Sequence, residues 1–186
     1  MISGIEGEIL LKEPDFCEIL TAGGVIYRLH TSLNTFAALG EKRVRLLTSL
    51  IVREDAMVLY GFGTAQERTL FEMLLKVSGV GPKSALAVCS TFSPAEFAQV
   101  VADRSEARLI KVPGIGKKSA GLILVQLSGG IDALEGAALA SDHHRAAASA
   151  LENLGFKPTD IHKVLKGCSA TDTAGLIKEA LKLFQK

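Results

Sequence analysis

Val77-Ser78-Gly79-Val80-Gly81-Pro82-Lys83-Ser84-Ala85 and Val112-Pro113-Gly114-Ile115-Gly116-Lys117-Lys118-Ser119-Ala120 are one pattern written twice, 35 residues apart. In each copy two glycines bracket one apolar residue, which lets the backbone turn tightly with its amides exposed. Val80 or Ile115 plugs the turn into a core. Gly81 and Gly116 open helices, so free N–H groups and the positive end of the helix dipole face outward. A lysine follows at once: Lys83 in the first copy, Lys117 and Lys118 in the second. Ser84 and Ser119 add a hydroxyl donor, and the small Ala85 and Ala120 let two helices approach. Such a unit grips a phosphate without reading a base. The plain alternative is a pair of helical corners that use glycine for packing, and the matching context of two copies weighs against it. A dinucleotide-binding phosphate loop fails, because no strand leads into either Gly-x-Gly and the third glycine is absent.

The texture around the repeat divides the chain. Residues 1–63 read as five or six short strands, the content of a small barrel. Phe16 to Leu20 and Val25 to His30 flank a Gly23-Gly24 turn. Leu33 to Leu39 reads as a short helical turn. Val44 to Arg53 and Ala56 to Phe62 form a second hairpin with Glu54 and Asp55 at its tip. From Thr64 the periodicity is helical to about Leu127, with helix starts at Thr64-Ala65-Gln66-Glu67, Ser93-Pro94-Ala95-Glu96 and Asp103-Arg104-Ser105-Glu106. Residues 129–143, rich in Gly, Ala and Ser, read as a linker. Residues 144–186 make three short helices: the first is closed by Gly155, Lys157-Pro158-Thr159 restarts the chain, Gly167 closes the second, and Asp172 opens the third. The fold class is therefore multidomain α+β, with an N-terminal OB-like barrel, a central all-α double hairpin domain and a C-terminal three-helix domain.

Composition bounds the rest. The chain has 186 residues, 48% hydrophobic and 22% charged, so a packed core is expected. A mean hydropathy of +0.29 hints at apolar surface kept for a partner. No apolar run approaches the ~18 residues of a membrane span, and the N-terminus has no basic and apolar regions of a signal peptide. Cys17, Cys89 and Cys168 have neither metal nor redox spacing. These features lead us to expect a cytoplasmic protein. The net charge of +1 hides a gradient: residues 1–63 carry 6 basic and 8 acidic residues, 64–128 carry 8 and 5, and 129–186 carry 7 and 7. An anionic partner belongs on the middle segment.

The repeated residues are those of a helix-hairpin-helix motif, and with the segments around them the chain resembles the RuvA family, which binds four-way (Holliday) junctions in bacterial branch migration. Val52-Arg53-Glu54-Asp55-Ala56, Leu59-Tyr60-Gly61-Phe62, Gln66-Glu67-Arg68-Thr69-Leu70-Phe71, both Gly-rich turns and Leu154-Gly155-Phe156-Lys157-Pro158 are similar to family signatures. The resemblance weakens in the linker, which is short for the family. It implies a homotetramer on an open square junction, with hairpin pairs holding the duplex arms, one tetramer or two to a junction. It implies that Glu54 and Asp55 form an acidic pin near the junction centre, where carboxylates repel converging phosphates; without the family they read as a solvated turn. It implies a C-terminal UBA-like domain that docks the hexameric ATPase RuvB, and it leaves the RuvC resolvase as a further partner. Leu151, Leu154, Phe156 and Leu181 are either partner-facing or the core of that domain. Two departures stand out. The helix after the second turn, from Ala120, carries no early charge, and the first strand carries Glu6 and Glu8 where cations would help, with Arg28, Lys42, Arg43 and Arg53 as candidates to compensate.

No catalytic constellation is present. There is no Walker GxxxxGK[ST], so ATP hydrolysis is expected in the partner, and no cofactor or metal is expected. His143-His144 has no nearby ligand set. The competing reading is a repair nuclease or glycosylase that uses the hairpins as its grip, with Asp132 the nearest candidate for a catalytic carboxylate.

Overall fold

Alternation of apolar and polar residues puts the first third of the chain into strands. A computed structural model describes residues 2–128, 142–156, 160–161, 164–165, 167–168, 170 and 172–184. The chain divides into two units, Met1–Glu135 and Gly136–Lys186.

In the first unit β1 (Gly4–Lys12), β2 (Phe16–Leu20), β3 (Ile26–Thr31), β4 (Arg43–Val52) and β5 (Met57–Phe62) close a barrel in the order β1-β2-β3-β5-β4. Every pairing is antiparallel except β3 with β5, the arrangement of an OB-type Greek-key barrel. Ile5, Cys17, Ile19, Leu29, Leu46 and Leu59 fill it. The turn expected at Gly23-Gly24 is present, with Gly24 at φ 78° and its amide on the Thr21 carbonyl. A short helix α1 (Leu33–Ala38) follows β3, capped by the Ser32 hydroxyl.

Strand β5 is apolar on both faces. Leu59 and Gly61 point into the barrel, where a methyl on Gly61 would lie 3.1 Å from the side chains of Leu29 and Leu46. Tyr60 and Phe62 point the other way, with ring centroids 4.9 and 5.0 Å from Phe71. They begin the core of a helical layer made of α2 (Ala65–Leu75), α3 (Pro82–Thr91), α4 (Pro94–Ala102), α5 (Glu106–Leu109) and α6 (Lys117–Leu127).

The expected helix starts divide in their chemistry. At Ser93 the box is complete: the Ser93 hydroxyl accepts from the Glu96 amide, and the Glu96 carboxylate accepts from the Ser93 amide. Those bonds hold the Glu96 carboxyl below the usual range. At Thr64 the cap forms, but the buried Glu67 carboxylate turns to the start of α1 instead. It accepts from the Ser32 hydroxyl and from Thr35 Oγ1 at 2.5 Å, while Thr35 Oγ1 accepts from the Gly63 amide at 3.0 Å. The start expected at Asp103 is corrected. Asp103 is the C-cap of α4, Arg104 takes a left-handed φ of 49°, and α5 begins at Glu106.

The second unit holds α7 (Asp142–Asn153) and α8 (Thr173–Phe184), with Asp160, Ile161, Val164 and Leu165 also helical. Helix α7 begins inside the expected linker, whose residues 129–141 lie outside the described residues, as do Lys157-Pro158-Thr159 and Asp132. Gly155 closes α7 at φ 92°, with its amide on Glu152 and the Phe156 amide on Leu151, a Schellman pair. The Asp172 carboxylate accepts from the Gly175 amide at 2.5 Å.

Glu67→Ala leaves two buried hydroxyls without their acceptor and destabilises the first unit by about 3 kcal/mol, and Glu67→Gln by less, read as the urea midpoint. Burial pushes the Cys17 thiol up to about 11 and raises that of Cys89 further. Thiol-reactive dye at neutral pH therefore labels the half-buried Cys168 first, and reaches Cys17 and Cys89 only on unfolding.

Candidate nucleic-acid interface

The two Gly-rich turns have the same geometry. Gly79 and Gly114 sit at φ 80° and 81°, conformations that favour glycine. Val80 and Ile115 are buried beneath them, and their amides bond to the carbonyls of Val77 and Val112 at 3.1 Å each. Gly81 and Gly116 are the N-caps of α3 and α6, at φ −89° and −92°, and neither helix start has a side-chain cap. First-turn amides are therefore presented outward from two equivalent helix ends. Lys83, Lys117 and Lys118 flank these ends and form no ion pair among the described residues. Fully buried Ala85 and Ala120 sit where each helix meets the core.

Ser84 has a different place from the one expected. The Ser84 hydroxyl donates to the Gly114 carbonyl at 3.2 Å. A Cβ on Gly114 would fall 2.8 Å from Ser84 Oγ, and one on Gly79 would fall 3.7 Å from Ser119 Oγ. Ser84 thus ties the first turn to the second, while Ser119 stands near Gly79. Sequence reading assigned the Ser84 hydroxyl to the ligand because it treats each copy alone.

Glu54 and Asp55 cross the tip of the β4–β5 hairpin, where the Arg53 amide donates to the Ala56 carbonyl at 2.8 Å, and both are exposed. The tip half of this hairpin lies beside the first turn. A cleft of about 330 Å³ runs between them, lined by Ile51, Arg53, Asp55, Val58 and Tyr60 on one side and residues 81–84 on the other. The cleft was missed in the sequence, which gives Val58 and Tyr60 only as members of the Ala56 to Phe62 strand.

The arginines expected to offset the first strand's acids are partly committed. Glu6 and Glu8 stand opposite Arg45 and Arg43 in the β1–β4 ladder, and Arg43 pairs with Glu6 at 3.1 Å. Arg28 pairs with Glu18 at 2.6 Å and lies over the Phe16 ring. That barrel face is close to neutral, whereas the hairpin face keeps its cations.

In the second unit the four apolar candidates separate. Leu151 is fully buried in the core with Ala147, Ile161, Leu165, Leu176 and Ala180, so it is a core residue and not a contact surface. Phe156 stacks on Phe184 at 4.1 Å between centroids, and Leu181 is half-buried against the same core. Leu154 is 61% exposed, and Leu183, off the apolar stripe and unremarked in the sequence, is 43% exposed.

An OB-type barrel carrying two matched turns with uncapped helix starts defines a tandem helix-hairpin-helix protein. Comparison with known proteins narrows the class. Family models described as RuvA N terminal domain, SAM-like helix-hairpin-helix tandem and RuvA C-terminal domain match residues 1–61, 71–142 and 146–185. The chain is 50% identical to the protein named Holliday junction branch migration complex subunit RuvA of Sulfurimonas denitrificans, over all of this chain and 99% of that one. It is 50% identical to the like-named protein of Nitratiruptor over the full length of both, and 46% to that of Wolinella succinogenes over all of this chain and 98% of that one. The chain belongs to the RuvA family.

The N-cap glycines provide a clean test. A Cβ on Gly81 or Gly116 meets nothing within 4 Å and needs no unusual φ. Gly81→Asp or Gly116→Asp gives its helix a side-chain cap, so thermal stability holds or rises slightly. The same carboxylate occupies the amides and repels phosphate, so affinity for DNA falls tenfold or more in a gel-shift titration, while Gly81→Ala stays near wild type.

Proposed function

We propose that this chain is a non-catalytic, structure-specific subunit that holds a four-way DNA junction open and recruits a RuvB-type ATPase for branch migration in recombination and repair. The observation that carries the reading is the pair of matched turns, whose uncapped amides and free lysines suit two backbone phosphates at a separation held by the Ser84 to Gly114 bond. Relatives of full-length similarity carry the junction in their names. The residues that grip the backbone are Gly79, Val80, Gly81 and Lys83 of the first turn and Gly114, Ile115, Gly116, Lys117 and Lys118 of the second. In the family's tetramer, four copies of this face would meet four arms. Glu54 and Asp55 act as a repulsive pin that keeps arms from closing over the hairpin tip. Leu154 with its half-buried neighbours Phe156 and Leu181 is the surface offered to the motor, and the chain works in the cytoplasm.

Gel-shift titration of a synthetic four-way junction against a linear duplex of the same length, with competitor DNA, tests this reading. We expect strong junction preference and an affinity that falls steeply with salt, with Lys83→Ala lowering the logarithmic salt slope by about 1. Equal affinity for both substrates sinks the proposal. Glu54→Gln combined with Asp55→Gln leaves junction binding intact or tighter while reducing discrimination against the linear duplex, measured as the ratio of the two dissociation constants.

A further inference from the structure

The β4–β5 hairpin outruns the barrel that it helps to close. β1 follows β4 only as far as Thr48, whose amide donates to the Ser3 carbonyl, and β3 meets β5 only from Leu59 onward. From Leu50 to the tip, β4 has only β5 beside it. A two-stranded ribbon is marginal in water by itself, but this one is backed: Ile51 and Val58 pack against the helical core. Its front is the inner face of the barrel carried past the barrel mouth. Leu50 and Leu59 are cross-strand partners turned to the barrel core, and Val52 and Met57 are the next pair outward on the same side. They stand 64% and 76% exposed, and Met57 is the most open large apolar side chain among the described residues.

The charges around this bare pair limit what can cover it. Glu54 and Asp55, each two residues along the chain from one member of the pair, are exposed at the tip and turn phosphates away. Behind the same ribbon Gly81 and Lys83 line the cleft, so the phosphate grip continues from its back. Backbone is thus taken behind the ribbon and refused at its end, which leaves the front to the uncharged part of a nucleic acid, the flat face of a base pair. In a continuous duplex each such face is covered by its neighbour. A four-way junction held open interrupts the stacks and bares one face at the inner end of each arm. Apolar side chains, methionine among them, are what proteins place against interrupted base steps.

We propose that Val52 and Met57 form an apolar platform that covers an unstacked base-pair face at the centre of an opened junction. The platform selects structure rather than sequence, since every base pair offers a face, and a linear duplex offers none along its length. Backing by the helical core holds it rigid, so little order is lost when a base pair settles on it. The inference rests on the proposal that this surface meets a four-way junction, and it names two residues that add discrimination to a backbone grip that has none.

Methyl NMR of the full chain with carbon-13 in its methionine methyls tests the contact, because there are only three methionines. On an immobile four-way junction the Met57 methyl should move upfield under the ring current of the bases, while Met73, half-buried in the helical core, stays in place. A linear duplex built from two of the same arms should move neither. Val52→Thr combined with Met57→Gln keeps strand-forming side chains of similar length outside either core. It should lower junction affinity about tenfold and leave duplex affinity and thermal stability unchanged. Met57→Leu, which keeps the apolar surface, should lose less than Met57→Gln. A Met57 methyl that stays still on the junction, or moves equally on both substrates, overturns the proposal. So does a double variant that loses affinity for both substrates alike or for neither. A changed subunit number for that variant without DNA, read by sedimentation velocity, shows that a second copy covers the pair and overturns it as well. Wild-type protein with no junction preference removes the parent reading and the platform together, whereas intact preference with a silent Met57 removes only the platform.

Discussion

The first unit depends on one strand being buried on both faces. β5 sends Leu59 and Gly61 into the barrel and Tyr60 and Phe62 into the helical layer. A strand of this kind cannot slip by one residue without exchanging the contents of two cores. It therefore fixes the barrel and the helices to each other before any polar contact is counted. The Glu67 carboxylate adds direction to that joint. It is a charged group almost fully buried, and such a group is tolerated only when hydrogen-bonded from its surroundings. Ser32 and Thr35 supply those bonds from the start of α1, so the start of α2 is tied to one place on the barrel.

Rigidity at this joint carries through to the two turns. Only the short turn from Lys76 to Gly81 separates α2 from α3, whose first turn looks across at the tip half of the β4–β5 hairpin. The Ser84 to Gly114 bond then refers the second turn to the first. The electrostatics follow the same geometry. Cations of the barrel's outer ladder are matched by Glu6, Glu8 and Glu18, while the lysines of the turns are unmatched among the described residues. Net charge near zero thus coexists with a cationic stripe, because neutralisation is local to the sheet.

Much of this was legible in the sequence, for reasons that differ by element. The strands and the acidic tip were readable because period-two patterning and turn residues are local signals. The hairpin turns were readable because glycine at positive φ and an uncapped helix start leave a spacing that repeats. What was not legible depends on contacts between distant segments. Glu67 looks like a capping-box residue until α1 is placed against it. Ser84 looks like a ligand donor until the second copy is folded onto the first. Asp103 looks like a helix start because Asp is a favoured N-cap, and only the left-handed Arg104 shows that the end of α4 comes first. Leu151 and Leu154 are three residues apart on α7 and its cap, yet one is core and the other surface, a distinction set by which side of α7 meets the rest of that unit.

Glycine at both N-caps has a thermodynamic meaning beyond geometry. A side-chain cap in place of glycine would add only a few tenths of a kcal/mol to each helix. The fold therefore forgoes very little by leaving α3 and α6 to be completed from outside. Any anion that binds there becomes part of the secondary structure, and by linkage it stabilises the folded chain by an amount that grows with its concentration relative to its Kd. Loading of the interface and tightening of the two helices are then a single equilibrium, and the half of the molecule that meets the ligand is the half whose resistance to unfolding reports its presence.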